Sequence, residues 1–266
     1  MKFVAAAALV LTIGSAAATP PQRIMSLKVC TDELLLDLVP PSRIASVTFL
    51  SREPASLRIW PVGAQVAVNH NTAEEILATK PDLILTDPFT PPALKPLLVK
   101  TGAKIVEVPP AESFAQIRAV TRQVAKAVGE EARGEALIAR MDADLRDVAA
   151  HQPAKPVTVM GWGEGGFVPG SGGLFNAMLT QIGARNAEQG AFGGFYDLES
   201  LIVKNPDALV YGDTYRGMAS LRDSQDQHPA LLKRYAGRRV SYASLYGCGT
   251  PHSAAIARQL QKALSP

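Results

Sequence analysis

The chain has 266 residues, a net charge of +3, and 47% hydrophobic against 19% charged residues. Those proportions are ordinary for a globular protein. Lys and Arg are spread along the chain, which excludes the concentrated basic face with interleaved aromatics that nucleic acid demands. Beyond the first residues, no apolar run reaches the roughly 20 residues a membrane-spanning helix needs.

Lys2 supplies a charged start, Phe3 to Ile13 form an apolar stretch, and Ala16-Ala17-Ala18 makes a small-residue cleavage site. This is the pattern of a secretory signal peptide over 1–18, so the mature chain is expected to be exported. No cysteine closely follows the apolar stretch, so a lipid anchor is not expected.

In chain order, a strand is predicted over Arg23 to Leu27, a helix over Asp32 to Val39, and strands over Ile44 to Thr48 and Val66 to Val68. Residues 72–87, TAEEILATKPDLILTD, read as a short helix, a Pro-Asp stop and a buried parallel strand. A helical stretch from Pro92 to Gly102 and a strand over Lys104 to Val108 follow. Ser113 to Val128 and Glu130 to Ala150 read as helices broken around Gly129, the second with a broad apolar stripe. A strand over Val157 to Gly161, a Gly-rich loop and a helix over Leu174 to Ile182 come next. Residues 197–212, DLESLIVKNPDALVYG, then repeat the earlier pattern. Glu74, Pro81 and Asp82 align with Glu199, Pro206 and Asp207. Pro229 to Gly237, a strand over Arg239 to Tyr242 and a helix over Ala254 to Leu264 close the chain.

One β-α-β-α-β unit is therefore used twice. The expected fold is α/β, with two Rossmann-like lobes of parallel sheet and a ligand cleft between them. The expected divisions are an N-terminal lobe over 19–112, a helical connector over 113–152 containing one long interlobe helix, and a C-terminal lobe over 153–266. A helical joint bends less readily than paired strands, so the cleft should be largely pre-formed.

In open parallel sheets, ligands bind beyond the carboxyl ends of the strands. That rule marks Cys30, Phe49, Arg52, His70, Asp87 and Phe89 in the first half. In the second it marks Trp162, Phe167, Tyr215, Arg216, Tyr246, Cys248 and His252. The many rings suit a flat or macrocyclic ligand, with a few polar groups such as His70, Asp87 and Arg216 to orient it.

Cys30 and Cys248 admit three readings: ligand contacts in the cleft, a disulfide, or inert packing. A disulfide would staple the lobes across their own cleft, which argues against it in a protein that releases cargo. Cys30, Cys248 and His252 are also candidate metal ligands, although Cys248-Gly249-Thr250-Pro251-His252 has no standard metal spacing. His252 has a further reading as a cap of the closing helix, and His228 as a surface turn. Gly170-Ser171-Gly172-Gly173 lacks the Gly-Lys-[Ser/Thr] ending of a phosphate loop. No Gly-x-Ser-x-Gly elbow is present, and Asp32 and Glu33 point to different sides of their helix. An enzyme is not expected.

From about Arg23 onward the chain resembles the helix-linked (class III) periplasmic solute-binding proteins of cobalamin, ferric-siderophore and haem ABC importers. Arg23-Ile24-Met25-Ser26-Leu27 with Thr31-Asp32-Glu33-Leu34, Glu74 to Leu85, Glu199 to Val210 and the closing helix carry the resemblance. It implies no intrinsic cofactor, a bulky metal chelate as ligand and a membrane permease dimer as partner, touched only peripherally. It implies that Glu74 and Glu199, one per lobe, dock onto permease arginines. Cobalamin or another corrinoid is the first expectation, a ferric siderophore the second and haem the third, with Tyr215, Tyr246 and Cys248 as axial-ligand candidates. A metallochaperone or sensor using Cys30, Cys248 and histidines is the alternative mechanism. The Cys30 and Cys248-to-His252 elements stand outside the familiar cobalamin pattern.

Overall fold

The structure, a computed structural model, describes residues 19–163, 166–212, 228–242 and 247–265. The expected signal peptide lies outside the described residues. The first half comprises β1 (Ile24–Ser26), α1 (Val29–Leu38), β2 (Ile44–Thr48), α2 (Pro54–Ile59) and β3 (Val68–Asn69). It continues with α3 (Ala73–Thr79), β4 (Leu83–Thr86), α4 (Lys95–Lys100) and β5 (Lys104–Glu107). Its strands form one parallel sheet in the order β3-β2-β1-β4-β5. The central strands β1 and β4 are buried at every position, as a sheet covered by helices on both faces requires.

Two helices follow, α5 (Phe114–Val128) and α6 (Glu131–Ala150). Gly129 takes the left-handed conformation (φ 73°) that ends α5. They lie against each other closely enough that a Cβ on Gly134 would come within 2.5 Å of the Ala125 methyl. Arg118 pairs with Asp142 at 2.5 Å and Arg122 with Glu135 at 2.6 Å across them. The connection is thus a braced helix pair, with α5 packed on α1 of the first half and α6 on the last helix of the second.

The second half comprises β6 (Thr158–Gly161), β7 (Phe167–Val168), α7 (Leu174–Gln181), β8 (Arg185–Asn186) and β9 (Gly194–Phe195). It continues with α8 (Leu198–Lys204), β10 (Ala208–Gly212), α9 (Pro229–Arg234), β11 (Arg239–Tyr242) and α10 (Ser253–Leu264). Its main sheet runs β11-β10-β6-β8, all parallel. Read from the other edge, β8-β6-β10-β11 is the same order as β2-β1-β4-β5. The two halves are copies of one unit.

The copies agree down to local chemistry. Thr72 caps α3, accepting from the Glu75 amide at 3.3 Å, and Asp197 caps α8, accepting from the Ser200 amide at 2.8 Å. Each helix ends on a left-handed residue, Lys80 (φ 46°) and Asn205 (φ 47°). The Asp of each Pro-Asp pair then reaches back to the first strand of its own unit. Asp82 accepts from the Gln22 and Arg23 amides at 2.6 and 3.0 Å, and Asp207 from the Thr158 amide at 2.8 Å.

One departure was not expected. The small antiparallel sheet β7–β9 interrupts the second copy, where the sequence suggests only a Gly-rich loop. Gly170 is pressed so tightly against this insertion that a Cβ there would lie 2.2 Å from the Gly193 nitrogen. The Ser171 and Gly172 amides donate to the Gly190 and Ala191 carbonyls. These glycines and amides are therefore spent on backbone packing and offer no cradle to a phosphate.

A contiguous apolar core runs through both halves, from Ile24, Leu35 and Val47 through Val124, Met141 and Val148 to Leu179, Val210 and Leu260. Among the described residues no helix is long and apolar enough to cross a membrane.

Candidate functional site

A cavity of about 360 Å³ lies where the two halves meet. The second half supplies its wall from the carboxyl end of β6 (Gly161, Trp162), the insertion (Phe167) and α7 (Leu174, Phe175, Met178). The first half supplies Glu33 on α1 and Pro110 to Glu112 after β5. Trp162 is 1% exposed and packs with Tyr235 and Leu209, so its ring is both core and wall. Phe167 stands more open and meets Phe195 edge-on at 5.5 Å.

The first half contributes differently from expectation. Its strand-end residues Phe49, Arg52, His70, Asp87 and Phe89 lie outside the cavity lining. Phe49 stacks on His70 at 5.3 Å, and His70 Nδ1 lies 3.0 Å from the Glu75 carboxylate. That contact comes first among the causes holding Glu75 down at about 2, with the His70 amide next. Asp87 pairs with Lys28 at 3.1 Å, and the Arg52 guanidinium donates to the Val66 carbonyl at 2.6 Å. Phe89 projects into solvent at 73% exposure. The reason is positional: α1 and the segment after β5, not the tips of β2 to β4, line the cavity from the first half. Tyr215, Arg216 and Tyr246 lie outside the described residues.

Cys30 and Cys248 form a disulfide, with Cα atoms 5.2 Å apart. Neither is a free thiol, so neither offers a thiolate to a ligand or a metal ion. The sequence argument against a staple placed Cys30 on a loop at the cleft mouth. It lies instead in the first turn of α1, on the same face as Glu33 and Asp37 at helical spacing. That face is already in contact with the 247–252 segment. His252 Nε2 lies 3.0 Å from the Asp37 carboxylate, and its ring meets Trp60 edge-on at 5.0 Å. His252 makes no side-chain cap to α10 and is absent from the cavity lining. Gly249 completes the seam, since a Cβ there would fall 2.2 Å from the Ala111 carbonyl oxygen. Cys248-Gly249-Thr250-Pro251-His252 is therefore the weld between the halves. Cys248 also forms part of the cavity wall. Among the described residues no cluster of three metal-ligating side chains occurs.

Two adjacent acids on α1 have opposite fates. Asp32 turns into its own half, where one carboxylate oxygen accepts from the Thr48 amide at 3.0 Å, the Thr48 hydroxyl and the Ser51 hydroxyl at 2.9 Å. Burial nonetheless pushes its carboxyl up to about 6, against those lowering hydrogen bonds. Glu33 turns to the cavity, and among the described residues neither of its oxygens has a hydrogen-bond partner. Burial first, then Asp32 and Asp37, drive it well above the usual carboxylate range. The sequence reading passed over Glu33 as half of a non-dyad; only the apposition of the halves makes it notable.

Glu74 and Glu199 occupy equivalent positions in the first turns of α3 and α8. Both are exposed, and among the described residues neither makes an ion pair. Adjacent Glu75, not Glu74, is spent on the capping box of α3.

Two copies of a parallel α/β unit, joined by helices and enclosing an aromatic-walled cavity, define a two-lobed solute-binding architecture. The chain belongs to the periplasmic binding protein family, whose model matches residues 24–228, and such proteins bind solutes rather than transform them. None of the curated proteins matches the chain. Among solved structures, a periplasmic haem-binding protein of Pseudomonas aeruginosa is similar, with TM-score 0.73, 22% identity, and 91% and 92% of the two chains covered. A periplasmic vitamin B12-binding protein of Vibrio cholerae gives TM-score 0.69 and 17% identity over 92% of this chain and 97% of that one. A possible iron-binding solute-binding protein of Staphylococcus epidermidis gives 0.71 and 18% over 93% and 100%.

Proposed function

We propose that this protein is the substrate-binding component of an ABC importer for a bulky metal chelate, cobalamin or another corrinoid first and a ferric siderophore second. The observation that carries the proposal is the cavity between the halves, walled by Trp162, Phe167 and Phe175. Such a wall suits the face of a large, flat ligand, whose burial supplies most of the affinity. Haem is the competing cargo, favoured by the haem-binding proteins among the similar structures. Residues 1–18 act as the cleaved export signal that delivers the chain to the periplasm.

Glu74 and Glu199 seat the loaded protein on the permease. Each is an exposed carboxylate without an ion-pair partner among the described residues. The repeat places them at equivalent positions, which matches a two-fold receptor presenting guanidinium groups. Reversing both charges (Glu74→Arg with Glu199→Arg) abolishes chelate uptake by cells while ligand affinity stays within about threefold, a difference below 1 kcal/mol. Collapse of affinity with uptake machinery still engaged would show the roles to be misassigned. The cargo itself is read by native mass spectrometry and absorption spectroscopy of protein purified from its own periplasm: the first gives the ligand mass, and in the second a Soret band identifies haem and a corrin spectrum a cobalamin. Recovery of a bare ion or a peptide would refute the chelate assignment.

A further inference from the structure

Glu33 is a buried acid with no partner among the described residues. On the α1 face turned to the second half, Cys30 is bonded to Cys248 and Asp37 is paired with His252. Glu33 lies between them, 2% exposed, and both its oxygens lack a partner among the described residues. An unpaired buried polar group costs free energy that stabilisation of the fold does not explain. A Leu or Met at this position would pack the seam without that cost. The side chain instead lines the cavity opposite the aromatic wall.

We propose that Glu33 is the specificity-determining group of this cavity, its carboxyl pairing with an uncharged donor–acceptor edge of the cargo such as a carboxamide. The proposal rests on the chelate-binding function proposed above and narrows its substrate class. No Lys, Arg or His lines the cavity among the described residues, and the only other acid there is Glu112. Among the described lining residues, a ligand carboxylate or catecholate pushed into this space would meet two acids and no cation. An ionised Glu33 would be held in apolar surroundings next to Asp32 and Asp37. The neutral acid is the cheaper form, as the direction of its shift indicates. A neutral carboxyl presents one O–H donor beside one carbonyl acceptor. A carboxamide presents the complementary pair, and the two close a double hydrogen bond without moving a charge out of water. A cationic ligand group would gain more Coulomb energy, but both partners would lose hydration inside the same cavity.

The test compares the full-length mature protein with Glu33→Gln and Glu33→Met in calorimetric titrations against cyanocobalamin, whose rim carries carboxamides, and haemin, which carries carboxylates. Gln keeps a donor beside an acceptor, so Glu33→Gln is expected to bind cyanocobalamin within about threefold of wild type. Met removes both, and about tenfold or greater loss is expected. Haemin is expected to bind wild type more weakly than cyanocobalamin does, and to gain affinity in Glu33→Met. Thermal melting at or above that of wild type confirms that both variants are folded, since an unpaired buried acid has been removed. Equal affinities in all three proteins overturn the proposal, because Glu33 then touches no ligand. A loss in Glu33→Gln as large as in Glu33→Met also overturns it, because the site then needs a charge. Wild-type binding of haemin that ignores both variants leaves the chelate function standing and sinks this inference alone. Failure of wild type to bind cyanocobalamin, haemin or ferrichrome sinks both.

Discussion

Asp32 shows how one buried acid couples stability to pH. Its carboxyl titrates near 6 in the folded chain, above the 3.8 of the free side chain, so the folded state holds an extra proton between those values. The stability it contributes is complete below the unfolded value and is lost as pH rises through about 6. Roughly two pKa units correspond to about 3 kcal/mol as an upper figure. Urea unfolding is therefore expected to show greater stability at pH 5 than at pH 7.5, and Asp32→Asn to flatten much of that slope, leaving the share of Glu33. Glu188 works in the opposite sense. Tyr196 first and then Lys204 hold its carboxyl down at about 2, so its contribution is present above about 4.5 and is lost only below that. The window from 5 to 7.5 thus lies above the range in which Glu188 acts, and comparison of wild type with Asp32→Asn picks out the share of Asp32. A stability that rises with pH across that window would refute the assignment. That Asp32 and Glu33 face different ways follows from helix geometry and was legible in the sequence. Their burial was not, because it depends on β2 for one and on the second half of the chain for the other.

Among the elements, the Pro-Asp strand starts are where the repeat acts mechanically. Asp82 ties the start of β4 to the residues entering β1 through two amides, and Asp207 ties β10 to β6 through one. Charge-assisted bonds of this kind, partly open to water, contribute about 1 to 2 kcal/mol. Asp82→Ala and Asp207→Ala should each lower the urea midpoint, the former more. Equal midpoints with wild type would mean that water replaces both ties freely. The repeat was readable because its parts are local: a capping residue, a left-handed stop, Pro-Asp and an apolar run all fall within sixteen residues. The β7–β9 pair was not readable, since two-residue strands embedded in glycines carry no periodicity. The seam was misread for a related reason. Helix α1 begins at Val29 rather than at Asp32, and that shift of less than one turn moves Cys30 from a loop tip onto a face packed against the second half.

For the whole molecule, the decisive features are the continuous core and the disulfide that joins the halves. In the chain-entropy picture a crosslink closing 218 residues stabilises by about 5 kcal/mol at 25 °C. Reduction, or Cys30→Ala with Cys248→Ala, is expected to lower the melting temperature markedly. The shared core and the Asp37–His252 pair should keep the halves together. Amide exchange is then expected to quicken around 247–252 while the centres of β1 and β6 stay protected. Unchanged exchange in that segment would show that the bond adds nothing to the seam. With a core running through both halves and a covalent weld in the cavity wall, ligand release cannot come from wide hinging. It calls for a small displacement at the cavity lining, driven from outside.

The weld also orders assembly. Cys30 lies in the first helix and Cys248 just before the last, so the two sulfurs can meet only once both sheets exist and have docked. Domains fold as units as the chain emerges, and until the second half is complete Cys30 remains an unpaired thiol on an uncovered helix face. Oxidation is then a final inspection step: a chain whose halves fail to come together carries two free thiols, a chemical mark distinguishing it from its finished counterpart.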